Sequence, residues 1–128
     1  MTLTAISIAR LKTCHPDLQK VVELAATRFP LFVLCGYRGR NEQNKAFEEG
    51  KSKLKFPRSM HNKKPSMAVD LSPSPLDWLN HDEFKKLGAV MKKAAKELGV
   101  DIVWGGDWVG FKDLPHYQLS SVETDQSA

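Results

Sequence analysis

The chain has 128 residues, 41% of them hydrophobic, which is the size and composition of one globular domain with a single core. Nineteen Lys and Arg residues against 15 Asp and Glu residues give a net charge of +4, which favours an anionic polymer such as nucleic acid or cell wall without choosing between them. Two cysteines exclude a disulfide framework, and the absence of a run of about 18 apolar residues excludes a membrane-spanning helix.

The first half of the chain predicts two helices and a strand. Met1 to Arg10 lacks the pattern of a secretory signal, so synthesis in the cytosol is expected. Apolar residues at helical spacing predict a helix over 16–29. The apolar run 31–35 predicts a buried strand, so Cys35 at its end and Cys14 are both expected to stay outside any functional site. A second helix is expected from a cap at Asn41 to Gly50.

The second half predicts a polar loop over 51–65 and a strand over 67–71. Asn80 and Gly99 fit the start and the end of a long helix. One apolar face is expected on that helix, formed by Phe84, Leu87, Val90, Met91, Ala94, Ala95 and Leu98. Strands are expected over 101–104 and 116–119, separated by a turn rich in glycine.

Helices and strands occur in a mixed order, without the regular strand and helix repeat that is typical of a parallel sheet. Because the last two strands are separated by only a short turn, we expect them to pair in an antiparallel way. The sequence therefore predicts one α+β domain over 1–128, with a small antiparallel sheet flanked by helices, a core over about 16–120 and a frayed tail from Val122.

Three short segments contain residues that suit metal chemistry: Ser59-Met60-His61, Ala68-Val69-Asp70 and Asp113-Leu114-Pro115-His116. Two imidazoles and a carboxylate fit a tetrahedral zinc ion whose fourth position is open to water. Asp113 is the candidate base, provided that the chain bends at Pro115, because residues three apart in a strand point to opposite faces. Each residue alone is more simply a surface or turn residue, so the prediction depends on the set.

The sequences CGYRGRNEQ, SMHNKKPSMAVD and WGGDWVGFKDLPHYQL occur in this order along the chain. Together they resemble the VanY-like family of zinc D-alanyl-D-alanine carboxypeptidases and L-alanyl-D-glutamate endopeptidases, particularly its phage endolysins. The resemblance covers about 16–119 and implies a Hedgehog/DD-peptidase-like single domain. The loop between His61 and Asp70 is two residues longer than the usual family pattern, which we interpret as an outward bulge that reshapes the substrate cleft.

The resemblance also implies roles for individual residues. The metal ligands are expected to be His61, Asp70 and His116, holding Zn²⁺. The catalytic residues are expected to be Asp113 as base and Arg38, which would act on the substrate carboxylate or the oxyanion. The substrate-binding residues are expected to be Arg38, Gln43 as a support for the site, and Ser59 as a hydrogen-bond partner of substrate or of a ligand. The aromatic residues Trp104, Trp108 and Tyr117 are candidates for the cleft wall, with core packing equally consistent for Trp104.

The implied function is hydrolysis of the L-alanyl-D-glutamate bond in the peptidoglycan stem peptide by a phage lysis enzyme. Such an enzyme would accumulate as a monomer in the host bacterial cytoplasm, without stable membrane association, and reach the wall with the help of a holin. A D-alanyl-D-alanine carboxypeptidase and a non-catalytic zinc or peptidoglycan-binding module are the alternatives. A nucleic-acid-binding domain would need clustered basic and aromatic residues on one element, which the sequence lacks.

Overall fold

A computed structural model describes residues 3–120 of the chain, built around a four-stranded antiparallel sheet. The strands are β1 (Leu31–Cys35), β2 (Ala68–Pro73), β3 (Ile102–Trp104) and β4 (His116–Leu119), in the spatial order β1-β2-β4-β3. The helices are α1 (Ala5–Leu11), α2 (Pro16–Ala26), α3 (Arg40–Glu48) and α4 (His81–Leu98). The predicted α+β fold with a small antiparallel sheet is confirmed, and the tail from Val122 lies outside the described residues.

The core lies between one face of the sheet and the helices. Val33, Leu71 and Tyr117 are fully buried on that face of the sheet. Leu18 of α2 and Leu87 of α4 are fully buried on the helix side of the core. Because strand residues alternate between faces, this packing leaves the neighbouring residues of β2 and β4 on the opposite face. That opposite face is the one that carries polar side chains.

Capping residues set the start of α2 and both ends of α4 at their predicted positions, whereas α2 ends at Ala26, three residues before the predicted end. The imidazole Nδ1 of His15 accepts a hydrogen bond from the Asp17 N–H at 3.0 Å, and the Asn80 side chain caps α4. Gly99 ends α4 in the left-handed region, with φ at 70°. Helix α3 begins one residue before its predicted cap, because the Glu42 carboxylate accepts from the N–H of Gly39 and makes that glycine the cap.

Two predictions about the core are wrong. The core does not begin near residue 16, because α1 packs on β1 and buries Leu11. Leu98 is 42% exposed, so it does not belong to the apolar face of α4. Gly88 is buried on that helix and lies against the indole of Trp104. Within residues 3–120, none of the helices is both long enough and apolar enough to span a lipid bilayer.

Candidate active site

Strand pairing brings two of the predicted metal ligands together. Asp70 in β2 and His116 in β4 are direct partners in the antiparallel register. Their neighbours Leu71 and Tyr117 point into the core, so Asp70 and His116 project from the other face of the sheet. His61 reaches the same place from a one-turn 3₁₀ helix, Met60–Asn62, in the long loop that precedes β2. His61 and Asp70 are nine residues apart in sequence and His116 follows 46 residues after Asp70, yet the three side chains meet at one point.

Three ligand atoms form a nearly equilateral triangle. The His61 Nε2 atom lies 3.1 Å from the Asp70 Oδ1 atom and 3.2 Å from the His116 Nδ1 atom. The third side, from His116 Nδ1 to Asp70 Oδ1, is 3.3 Å. A tetrahedral zinc ion with bonds of about 2.0–2.1 Å requires its ligand atoms to be about 3.3 Å apart. The spacing therefore fits a zinc ion with three protein ligands.

The second nitrogen of each histidine is engaged outside the triangle. The His61 Nδ1–H donates to the carbonyl oxygen of Gly36 at 2.8 Å, and the His116 Nε2–H donates to the Gln118 Oε1 atom at 2.8 Å. With these two N–H groups engaged, the other nitrogen of each ring faces Asp70, where it would bind a metal ion once deprotonated. This second layer of acceptors is typical of metal-bound histidines, and both imidazoles are fully buried.

Burial and mutual charge set the protonation of this group. Burial alone would raise the pKa of Asp70, but attraction and hydrogen bonds from His61 and His116 hold it well below its usual range. Burial lowers the pKa of His61. Burial acts the same way on His116, but the hydrogen bond to Asp70 and the Asp70 charge outweigh it and raise the pKa. An ionised Asp70 beside two imidazoles is a donor set that suits a divalent cation.

Cys35 also lies at the site, contrary to the prediction. Its Sγ atom and ligand atoms of His61 and Asp70 lie within 4.8 Å of one another. A β-bulge after Val33 moves Cys35 into register with Asp70 and so onto the polar face of the sheet. Burial and the Asp70 charge raise the pKa of the thiol to about 11, which keeps it protonated at neutral pH. The distances of 3.2 and 3.3 Å from His116 Nδ1 to the other two atoms, together with the protonated thiol, favour His116 as the third ligand.

Asp113 lies in the cleft that reaches the triangle at Asp70. Arg38, Asp70 and Asp113 all line this cleft, whose volume is about 480 Å³. The Asp113 N–H donates to the carbonyl oxygen of Gly105 at 3.0 Å, and the next residue, Leu114, accepts a bond of 2.7 Å from the Trp104 indole N–H. Burial and the Asp70 charge raise the pKa of Asp113 to about 6, a value suited to a general base near neutral pH.

Gly105 is the first glycine of the WGGDW segment, and its missing side chain leaves room for Asp113. A Cβ atom at this position would collide with the carbonyl oxygen and Cβ of Asp113. We expect Gly105→Ala to displace the carboxylate of Asp113 and to lower turnover by about a hundredfold, because misplacement by about 1 Å is that costly. Hydrolysis rates and metal content measured together test this, with Gly39→Ala as a control, because a Cβ atom there would make only ordinary van der Waals contacts, at 3.8 Å or more. Wild-type turnover in Gly105→Ala would contradict it.

Arg38 is held by buried neighbours. Its Nε–H donates to the Gln43 Oε1 atom at 2.8 Å, and the Gln43 amide donates to Ser52 Oγ at 2.9 Å and to the Leu54 carbonyl at 2.7 Å. The Arg38 Nη2 atom is buried and makes no hydrogen bond within residues 3–120. One edge of the guanidinium is thus fixed, and the other has donor capacity for a bound anion.

Two predicted substrate-binding residues lie behind the cleft. Gln43 is fully buried and bonded to Arg38, Ser52 and Leu54, so it positions Arg38 and does not face substrate. Ser59 is also fully buried, and its Oγ accepts from the His61 N–H at 3.1 Å. It caps the turn that carries His61. The bond to Arg38 fits the supporting role expected of Gln43, and Ser59 contacts the candidate ligand His61, while the burial of both side chains leaves neither exposed for direct contact with substrate.

The longer loop between His61 and Asp70 does extend outward. Lys63, Lys64 and Pro65 are exposed, while the N–H of Met67 donates to the carbonyl oxygen of Met60 at 3.0 Å. This bond closes the base of the loop, so the ends near His61 and Asp70 keep their positions. The exposed lysine side chains extend over nearby surface, with the Lys64 Nζ 4.9 Å from the Tyr37 ring centroid.

The cleft wall differs from the predicted one. Trp104 and Tyr117 stack on each other with ring centroids 6.3 Å apart and belong to the core. Trp108 is buried with its ring centroid 5.1 Å from that of His116. Trp78 lines the cleft instead. Sequence reasoning missed it, because a tryptophan between two turn segments has no spacing signal.

Three comparisons with known proteins each match peptidases that act on L-alanyl-D-glutamate bonds. The model of a family described as phage L-alanyl-D-glutamate peptidase matches residues 1–121. The L-alanyl-D-glutamate peptidase of Escherichia phage T5 is 30% identical over 105 residues, which is 77% of this chain and 75% of that protein. The crystal structure of the L-Ala D-Glu endopeptidase ChiX of Serratia marcescens is similar with a TM-score of 0.81 and 32% identity, over 93% of this chain and 90% of that one.

Proposed function

The chain belongs to the phage L-alanyl-D-glutamate peptidase family, and from that membership we propose that it is a zinc-dependent endopeptidase that cuts the L-alanyl-D-glutamate bond of the peptidoglycan stem peptide. The observation that carries the zinc dependence is the triangle of His61 Nε2, Asp70 Oδ1 and His116 Nδ1, with sides of 3.1, 3.2 and 3.3 Å. Two neutral imidazoles and one carboxylate match the ligands of catalytic zinc sites.

His61, Asp70 and His116 would hold the ion. When bound, zinc supplies Lewis-acid activation of water and of the scissile carbonyl group. Asp70 contributes the negative charge, and the bonds to Gly36 and Gln118 keep the two imidazoles oriented. The same cleft contains Asp113 and Arg38, so metal, base and cationic donor would act on one bound peptide.

Asp113 moves the proton in the proposed reaction. It accepts a proton from the attacking water and returns it to the amine of D-glutamate as the peptide bond breaks, so one water is consumed and no covalent enzyme intermediate forms. Its raised pKa of about 6 allows both steps near neutral pH. Arg38 stabilises the oxyanion of the tetrahedral intermediate through the guanidinium edge that Gln43 leaves available.

We place this activity in host lysis. The protein would accumulate as a monomer in the host bacterial cytoplasm and reach the wall after a holin opens the membrane. The family membership and the positive net charge of +4, which suits an anionic wall polymer, support this role.

Mass spectrometry of digested peptidoglycan tests the proposed bond. We expect new fragments with N-terminal D-glutamate, absent when zinc is chelated. Release of free D-alanine instead would assign a carboxypeptidase. If a folded, zinc-loaded protein cut no bond, the result would contradict the proposal and favour a non-catalytic binding module.

A further inference from the structure

Trp78 is a large aromatic side chain exposed at the cleft. It lies between β2, which carries Asp70, and the start of α4, and 54% of its surface is exposed. Trp78, Asp70 and Asp113 line the same cleft. An exposed indole at the mouth of a site is typical of a ligand contact, since it combines a wide apolar face with a polar edge.

The indole of Trp78 is also held in place. Phe84 of α4 is 2% exposed and stacks on it, with ring centroids 5.6 Å apart and the ring planes inclined by 16°. One face of the indole therefore rests on a buried ring. His81, which lines the same cleft at the start of α4, adds a polar group beside this platform. A supported flat ring binds a flat apolar surface at low cost in conformational entropy.

The chemistry of the substrate indicates which part of it would contact the indole of Trp78. In the stem peptide the L-alanine nitrogen is joined to the lactyl group of N-acetylmuramic acid, so a sugar ring begins one residue from the scissile bond. The C–H face of a pyranose is flat, apolar and uncharged. An extended diaminopimelate side chain, by contrast, is a flexible chain that ends in a zwitterionic group, so it presents no flat apolar face to the indole. The cleft contains both the reacting groups and the aromatic platform.

We propose that Trp78 forms a sugar subsite, in which the indole stacks on the pyranose ring of the N-acetylmuramic acid attached to the scissile L-alanine. This inference rests on the proposed function, because it takes the substrate of that reaction as its ligand. The subsite gives the enzyme a preference for peptide that is still attached to glycan over free stem peptide.

Two synthetic substrates isolate the sugar ring. One is N-acetylmuramyl-L-alanyl-D-glutamyl-diaminopimelate, and the other carries only a lactyl group in place of the sugar, so that both lack a free amine on L-alanine. We expect wild-type kcat/KM to favour the muramyl substrate by about tenfold, the range of a good stacking contact. In Trp78→Ala this ratio should fall towards one through a higher KM, and Trp78→Phe should keep part of it.

Leu79→Ala is the matched control, because Leu79 is 88% exposed beside Trp78. It should retain the wild-type ratio. A wild-type ratio near one, or an unchanged ratio in Trp78→Ala, would overturn the subsite. Calorimetry of both peptides with the metal-free protein compares their affinities without turnover. Tighter binding of the muramyl peptide that Trp78→Ala abolishes would support the subsite even if no bond were cut, and the missing hydrolysis would then count against the proposed function alone.

Discussion

Asp113→Asn is expected to lower turnover by about a thousandfold while zinc content stays at the wild-type level. The substitution removes the only proposed proton acceptor in the cleft but leaves His61, Asp70 and His116 in place. The amide has nearly the same shape as the carboxylate, so the backbone bond to Gly105 is kept. Steady-state hydrolysis and metal analysis on the same sample measure both effects. Turnover within a few fold of wild type would remove Asp113 as the base.

The stability of the metal-free variant gives an independent check. Asp113 has a folded-state pKa of about 6, above the ordinary value of 3.8, so its ionised form opposes folding. This cost is absent below pH about 4, grows as the pH rises towards 6, and is constant above that. Metal-free Asp113→Asn should therefore be more stable than wild type at pH 7, by at most about 3 kcal/mol. Denaturant unfolding should show this gain fading at pH 4, and a gain that did not change with pH would contradict the buried carboxylate.

His61→Ala is expected to lose tight zinc binding. It removes one of the three proposed ligands and the bond from the His61 ring to the Gly36 carbonyl, so the metal would no longer tie the loop to the sheet. In wild type, chelation should lower the melting temperature, since a ligand that binds only the folded state stabilises it. In His61→Ala, chelation should have no further effect. Metal analysis and thermal unfolding, each with and without chelator, measure the two outcomes.

Two other variants make this test specific. Cys35→Ser should retain zinc, because the triangle of ligand atoms does not include its thiol. His81→Ala removes a histidine outside the triangle and should also retain zinc. If Cys35→Ser lost zinc as completely as His61→Ala, the metal would be held by the alternative group of Cys35, His61 and Asp70. Full zinc content in His61→Ala would contradict both arrangements.

Local sequence signals predicted most of the fold. The apolar run 31–35 forms β1, and the caps at Asn80 and Gly99 set the ends of α4. Helix α1 was missed because its pattern is inverted: Ser7 is buried, with its Oγ accepting from the Val33 N–H at 2.9 Å, whereas Ile6 and Ile8 are exposed. Periodicity identifies a helix only when its buried positions are apolar.

The sequence motifs predicted the candidate metal ligands, but they did not predict which other side chains lie beside those ligands. The motifs named His61, Asp70 and His116, which the structure brings together. The bulge that turns Cys35 to the same face depends on pairing with a distant strand, which a single sequence does not encode locally. In the same way, the burial of Gln43 follows from bonds to a loop about ten residues further along the chain.

Because Asp70 and His116 are direct partners across two strands, metal binding by the proposed ligands would depend on the register of the sheet. A slip of one residue between β2 and β4 would turn one of these two side chains towards the helices. Only the native register presents both to the loop that carries His61. Chains that pair wrongly would therefore lack the proposed zinc site, and the metal content of a purified sample would report the fraction of molecules with the native register.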